Sequence, residues 1–219
     1  MRLGVFGGTF DPPHLGHLVV AEGAREQLRL ERVLFIPAGQ PWMKAGQAMS
    51  PASHRLEMTR LAIQGHPAFQ VVDWEVVREG PSYTVDTLEQ LHRQEPSAEL
   101  FFILGEDSLG ELPRWRQPQQ LIELCVLAVY RRPGSGGASD EATEPRRELQ
   151  RKGASLAELE SQVPGLSRRT VFLEGPLIGI SATDLRRRAA EGRSLRYLVA
   201  PQVEEYILQH RLYKDAGGG

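Results

Sequence analysis

Covalent cross-linking is what this chain most conspicuously lacks. Only one of its 219 residues, Cys125, is a cysteine, which excludes an intrachain disulfide and a cysteine-based zinc site. Cys125 falls in the apolar run Leu124 to Tyr130, where a buried structural thiol is a better reading than a nucleophile. An excess of either charge is also missing. Lys and Arg number 26 against 28 Asp and Glu, a formal net charge of −2, which argues against wholesale binding to nucleic acid or an anionic membrane. No apolar run approaches membrane-spanning length. The first residues are too short a stretch, and too interrupted by Gly4, Gly7 and Gly8, for a signal peptide. These absences point to a soluble, cytoplasmic protein. Two common nucleotide motifs are missing as well. No glycine loop runs into Gly-Lys-Ser/Thr, and Gly-x-Gly-x-x-Gly does not occur, which disfavours a redox dinucleotide enzyme.

What is present is a repeated alternation of short apolar runs and helical patterns. Leu3 to Phe6 reads as a buried strand, and a helix follows from about Leu15 to Leu30. Val33 to Pro37 is a second strand, making a parallel βαβ unit with a right-handed crossover. Ala38 to Ser50 reads as loop, Pro51 to Gln64 as helix and Phe69 to Val77 as strand. Ser82 is expected to cap a helix over Tyr83 to Gln94. Leu100 to Leu104 and Leu124 to Tyr130 are further buried strands, and Thr170 to Leu173 is another. Helices close the chain near Ile180 to Glu191 and Pro201 to Gln209. From about Ser135 to Arg169 the chain is rich in Gly, Ser, Glu and Arg and reads as a surface insertion, with a mobile loop over Pro133 to Thr143 and a charged helix within Glu144 to Glu160. The expected organisation is one domain over residues 1–213 with a disordered tail over 214–219. Its class is α/β, a Rossmann-like doubly wound sheet, mostly parallel, with four or five buried strands and helices on both faces. Ligands of such sheets bind beyond the carboxyl ends of the strands. The turns after the first strand, after Leu104 and after Leu173 should open there together.

The first of those turns is the most informative stretch, Gly7-Gly8-Thr9-Phe10-Asp11-Pro12-Pro13-His14-Leu15-Gly16-His17. A strand, a glycine-rich turn and a helix start make a phosphate-binding corner. Gly7 and Gly8 permit positive φ and close approach of backbone N–H groups to phosphate. Pro12 and Pro13 delay the helix, and His14 and His17, three residues apart, share its first face. Gly16 inside a helix costs roughly 1 kcal/mol, a cost that close approach of an adenine or ribose would explain.

This corner resembles the Thr/His-x-Gly-His signature of the nucleotidyltransferase superfamily. That superfamily's second signature, Ser-x-Thr-x-x-Arg, is matched by Ser181-Ala182-Thr183-Asp184-Leu185-Arg186. Tyr83 to Leu88, Gly105-Glu106-Asp107-Ser108, Pro113-Arg114-Trp115 and Arg131 to Gly134 are similar to bacterial nicotinate-nucleotide adenylyltransferases. The resemblance covers essentially the whole chain outside the expected insertion. It implies transfer of the adenylyl group of ATP to nicotinate mononucleotide, with pyrophosphate released. It also implies Mg²⁺ carried on the ATP phosphates, and no protein metal site. By the same resemblance His14, His17, Lys44 and Arg186 act on the phosphates, while Gly7, Gly8, Thr9, Phe10, Gly105, Asp107, Ile180 and Ser181 complete the ATP site. Lys44, Tyr83, Thr84, Asp107, Trp115 and Arg131 are the expected acceptor site. Trp115 would stack on the pyridine ring, and the helix start at Tyr83 and Thr84 would meet its carboxylate.

Other readings weigh against these. Trp115 can be ordinary packing, Asp107 a helix cap and Lys44 a solvated loop lysine. The acceptor can be nicotinamide mononucleotide or phosphopantetheine. From other classes come a non-catalytic nucleotide-binding module and a class I aminoacyl-tRNA synthetase fragment; the second is disfavoured because no Lys-Met-Ser-Lys-Ser loop is present. Neither a nucleic-acid nor a membrane partner is expected, and monomer against homo-oligomer stays open.

Overall fold

The computed structural model describes residues 1–44, 46–130, 155–176 and 178–214. Six strands run parallel in one sheet: β1 (Arg2–Gly8), β2 (Arg32–Pro37), β3 (Phe69–Val71), β4 (Glu99–Gly105), β5 (Val126–Tyr130) and β6 (Thr170–Leu173). Their order is β3-β2-β1-β4-β5-β6. The direction of winding therefore reverses between β1 and β4, which opens a crevice at their carboxyl ends.

The apolar runs conceal a period of two, and that alternation builds the two faces. Leu3, Val5, Leu34, Ile36, Leu100, Phe102, Leu127 and Val129 pack together on one side. There they meet α4 (Thr84–Gln94) and α6 (Pro118–Leu124). Phe6, Val33, Phe35, Phe101, Ile103 and Ala128 point the other way, toward Ala21 and Ala24 of α1 (Leu15–Leu28). A strand covered on both faces has no polar face to show, hence the continuous runs. A third apolar group joins Met58 of α2 (Ala52–Ala62) to Leu185 of α8 (Ala182–Ala190) and to Val203 and Ile207 of α9 (Pro201–Gln209).

Three expectations need correction. Only Phe69–Val71 of the run to Val77 is strand, because β2 ends in Pro37, which has no N–H to extend the ladder. The chain turns instead into α3 (Trp74–Val77). Ser82 does not cap α4: Tyr83 holds the N-cap position, and the Ser82 hydroxyl accepts from the N–H groups of Gly39 (3.0 Å) and Gln40 (3.3 Å). The turn after β4 is the helix α5 (Glu106–Gly110).

The fold also resumes earlier than Thr170. Ser155 caps α7 (Leu156–Gln162) in a reciprocal box with Glu158. Leu159, Val163 and Leu166 are buried in the first face of the core. The expected mobile loop, and the tail beyond Lys214, lie outside the described residues. Among the described residues no helix is long and apolar enough to cross a membrane.

Candidate active site

The corner after β1 is shaped by stacked rings. His14 is the N-cap of α1 and lies flat on His17, ring centroids 3.7 Å apart. The His14 backbone N–H donates to His17 Nδ1 at 3.1 Å. An accepting Nδ1 on a neutral imidazole leaves the proton on Nε2, so His17 presents an Nε2–H donor. Both rings are held neutral. Burial lowers the His14 pKa to about 4. Burial, then the neighbouring His14 and Lys44, lower that of His17 well below its ordinary value. The glycines act differently from expectation. Neither Gly7 nor Gly8 has positive φ; the left-handed residue is Phe10, at φ 49°. Its ring folds back to where a Cβ on Gly8 would lie 3.0 Å away. Likewise a Cβ on Gly16 would lie 2.9 Å from His14 Nδ1 and 3.3 Å from Ile178, so the histidine pair itself requires that glycine.

Behind the corner lies a polar knot with no signal in the sequence. Arg55 of α2 is 1% exposed. It donates to the carbonyls of Ser50 (3.0 Å), Thr9 (2.9 Å), Ala38 (2.5 Å) and Gly39 (2.9 Å). It thus locks the turn after β1 to the loop after β2. Asp11, also buried, accepts from the Ser50 N–H at 3.0 Å and from the Tyr213 hydroxyl at 2.7 Å. Its carbonyl accepts from Arg186 Nη1 at 2.8 Å. Lys44 Nζ donates to Thr9 Oγ1 at 3.0 Å. Partial burial and then the Arg186 charge hold its pKa below the ordinary lysine value. Two loops and a distant helix start therefore converge on residues 9–11.

A cavity of about 300 Å³ opens beside the knot, at the carboxyl ends of β1, β2 and β4. Gly7, Gly8, Thr9 and Lys44 are among its lining, with Trp42, Thr84, Ser108 and Trp115. Trp42 faces Tyr83 with ring centroids 6.2 Å apart, and the Arg116 guanidinium lies 4.7 Å above the Tyr83 ring. Trp115 meets Phe102 edge-on at 5.9 Å. The wall also holds a buried acid. Glu75 accepts from the Thr87 hydroxyl at 2.7 Å, and desolvation raises its pKa in spite of hydrogen bonds from Thr87 and Ser82. Gly39 is needed beside it, since a Cβ there would lie 1.9 Å from the Glu75 carbonyl oxygen. Four buried side-chain nitrogens lack a hydrogen-bond partner among the described residues, and two of them, His14 Nδ1 and Trp115 Nε1, belong to this region. Unsatisfied buried polar atoms are rare, and they concentrate where something else binds.

The expected site residues divide by position. Gly7, Gly8, Thr9, Lys44, Thr84 and Trp115 line the cavity; His14 and His17 stack on each other and Arg186 bonds the Asp11 carbonyl, and none of these three is among its lining. Phe10 is 2% exposed among Phe6, Phe35 and His17, so its ring is closed to a ligand. Ile180 packs against the third apolar group. Gly105 is exposed at the N-cap of α5, with Asp107 exposed in its first turn; Ser108, not Asp107, lines the cavity. Ser181 is the exposed N-cap of α8. Arg131 lies outside the described residues. Among the described residues no three or more His, Cys, Asp or Glu side chains form a group that could hold a metal ion.

A cytidylyltransferase-like family model matches residues 5–188. A Thermomicrobium roseum protein named "probable nicotinate-nucleotide adenylyltransferase" is 47% identical over 97% of this chain and 92% of its own length. One of the same name from Pelobacter propionicus is 44% identical over 98% of this chain and 99% of its own. The chain belongs to the nicotinate-nucleotide adenylyltransferase family. The fold agrees. A Plasmodium falciparum nicotinic acid mononucleotide adenylyltransferase, solved with NaAD, aligns over 97% of each chain with a TM-score of 0.73 at 15% identity. Within this adenylyltransferase, Arg55, Glu75 and Tyr213 escape sequence reasoning for one reason. Each reads locally as a surface or filler residue, and only burial reveals its partners. Glu75 alone left a trace, as an acid inside an apolar run.

Proposed function

We propose that this chain transfers the adenylyl group of ATP, taken as its Mg²⁺ complex, to nicotinate mononucleotide, giving nicotinate adenine dinucleotide and pyrophosphate in NAD biosynthesis. One observation carries the reading: a cavity at the switch point of the sheet is lined by the glycine turn after β1 and Lys44 together with Trp42, Thr84 and Trp115, in a chain 47% identical to a protein of that name. The attacking acceptor phosphate is already anionic and needs no general base, so catalysis reduces to positioning and stabilisation of charge. The neutral His17 Nε2–H and the His14 ring donate to phosphate oxygens as charge moves onto pyrophosphate. Neutral donors suit this task because they remain competent throughout the neutral pH range. Lys44 and Arg186 add positive charge, and the Ser181 hydroxyl and the start of α8 meet the outer phosphates. The backbone of residues 7–10, with Gly105, Asp107 and Ile180, completes the nucleotide site.

Trp115 supplies a face for the pyridine ring. The N–H groups at Tyr83 and Thr84 favour an acceptor-only carboxylate over an amide; Asp107 takes a ribose hydroxyl, and Arg131 belongs to the same acceptor set. The residues behind these groups form one catalytic domain. The donor set suits a metal that arrives on the substrate, because both buried carboxylates of this region are already engaged, Asp11 by Ser50 and Tyr213 and Glu75 by Thr87. The test is an acceptor swap. With ATP and Mg²⁺, pyrophosphate release should be much faster with nicotinate mononucleotide than with nicotinamide mononucleotide or phosphopantetheine. Equal or reversed rates refute the assignment.

A further inference from the structure

The last described turn of the chain reaches the first functional turn. After α9 the backbone doubles back through two left-handed residues, Arg211 at φ 50° and Tyr213 at φ 65°. Such conformations are unfavourable for side chains with a Cβ, and persist where surrounding contacts over-determine them. Here those contacts are specific. The Leu212 N–H donates to the Ile207 carbonyl at 3.0 Å, and Leu212 and Tyr213 pack on the third apolar group. The Tyr213 hydroxyl donates to Asp11 Oδ1 at 2.7 Å and lies 3.9 Å from Met58 Sδ. Burial and the adjacent Asp11 carboxylate keep that phenol protonated, and so a donor.

Asp11 is the hub. Its second oxygen accepts from Ser50 N–H, and its carbonyl holds Arg186. Only Pro12 and Pro13, both stiff, separate it from His14. A shift at Asp11 would therefore be transmitted to the histidine pair on one side and to Arg186 on the other. We propose that Tyr213, acting through Asp11, is a positioning residue that sets the histidine corner against Arg186 for the transfer reaction. This rests on the adenylyl-transfer reading above.

The test uses full-length Tyr213→Phe, with Tyr206→Phe as control. Tyr206 lies on α9, ahead of that turn, and its hydroxyl bonds His54 (2.9 Å) and not Asp11. Tyr213→Phe should lower kcat about tenfold, as expected for losing one hydrogen bond to a charged group at a site that needs accurate placement. KM for nicotinate mononucleotide should change less than twofold, and Tyr206→Phe should leave both constants unchanged. An independent readout is the imidazole ¹⁵N spectrum of His14 and His17 in the free protein. Their shifts should move in Tyr213→Phe and not in the control. This readout needs no turnover, so it separates failure of the proposal from failure of the assigned reaction. If Tyr213→Phe lowers the melting temperature but leaves kcat and the histidine shifts unchanged, the proposal is overturned. Equal changes in both variants overturn it as well.

Discussion

The corner after β1 and the cavity beside it are organised in opposite ways. The corner is polar and over-determined. Arg55 satisfies four carbonyls, Asp11 gathers Ser50, Tyr213 and Arg186, and the histidines lie stacked. The cavity wall is largely aromatic, with Trp42, Trp115 and Phe102 beside one buried acid, Glu75, and with Tyr83 facing Trp42. Where charge must be met in a transition state, donors have to be fixed before the reaction. Where a flat ring must be held, large rigid surfaces suffice. The corner should accordingly govern turnover and the wall acceptor affinity.

The largest expected effect tests the rigidity of the corner. Arg55→Leu leaves four carbonyls without their charged donor and should destabilise the protein by roughly 3–5 kcal/mol in urea unfolding. A loss under 1 kcal/mol would show that the two loops hold their places without it. Next, His17→Ala should lower kcat by about 10²–10³ with little change in KM, as for removal of a transition-state donor; normal turnover would make that ring structural.

The third test sets the corner and the cavity wall against each other through pH. The His14 pKa falls on folding from 6.5 to about 4, so its contribution is complete above 6.5 and lost as pH drops. By pH 4 that loss should reach about 3 kcal/mol. Glu75 has the opposite sign. Its pKa is raised by burial from 4.5, so its contribution is complete below that value and lost as pH climbs through the raised one. Urea midpoints measured from pH 4 to 8 should fall less steeply toward acid in His14→Gln, where His17 still titrates, and decline less above pH 4.5 in Glu75→Gln. Unaltered profiles in both variants would mean that neither group is desolvated as described.

Much of this architecture is legible in the sequence because it is local. Continuous apolar runs announce strands buried on both faces, and Gly7 to His17 and Ser181 to Arg186 announce two helix starts. Those signals survive because their residues act through their own backbone neighbourhood. Local pattern misled where neighbours decide. The β-rich run to Val77 became α3 because Pro37 ends the partner strand, and a histidine of this chain already crowds the place a Cβ on Gly16 would take. Leu159, Val163 and Leu166 looked too sparse for a core, yet the first face of the sheet buries them.

The sequence by itself determined the fold class, the two signature motifs and the membership of the chain in its family. Only the tertiary structure decided that Arg55, Asp11, Glu75 and Tyr213 hold the site in shape. The reason is physical. A charged or hydroxyl side chain carries the same letter whether it is solvated or buried. Its role is set by which carbonyls and carboxylates surround it, and those arrive from residues up to 202 positions away.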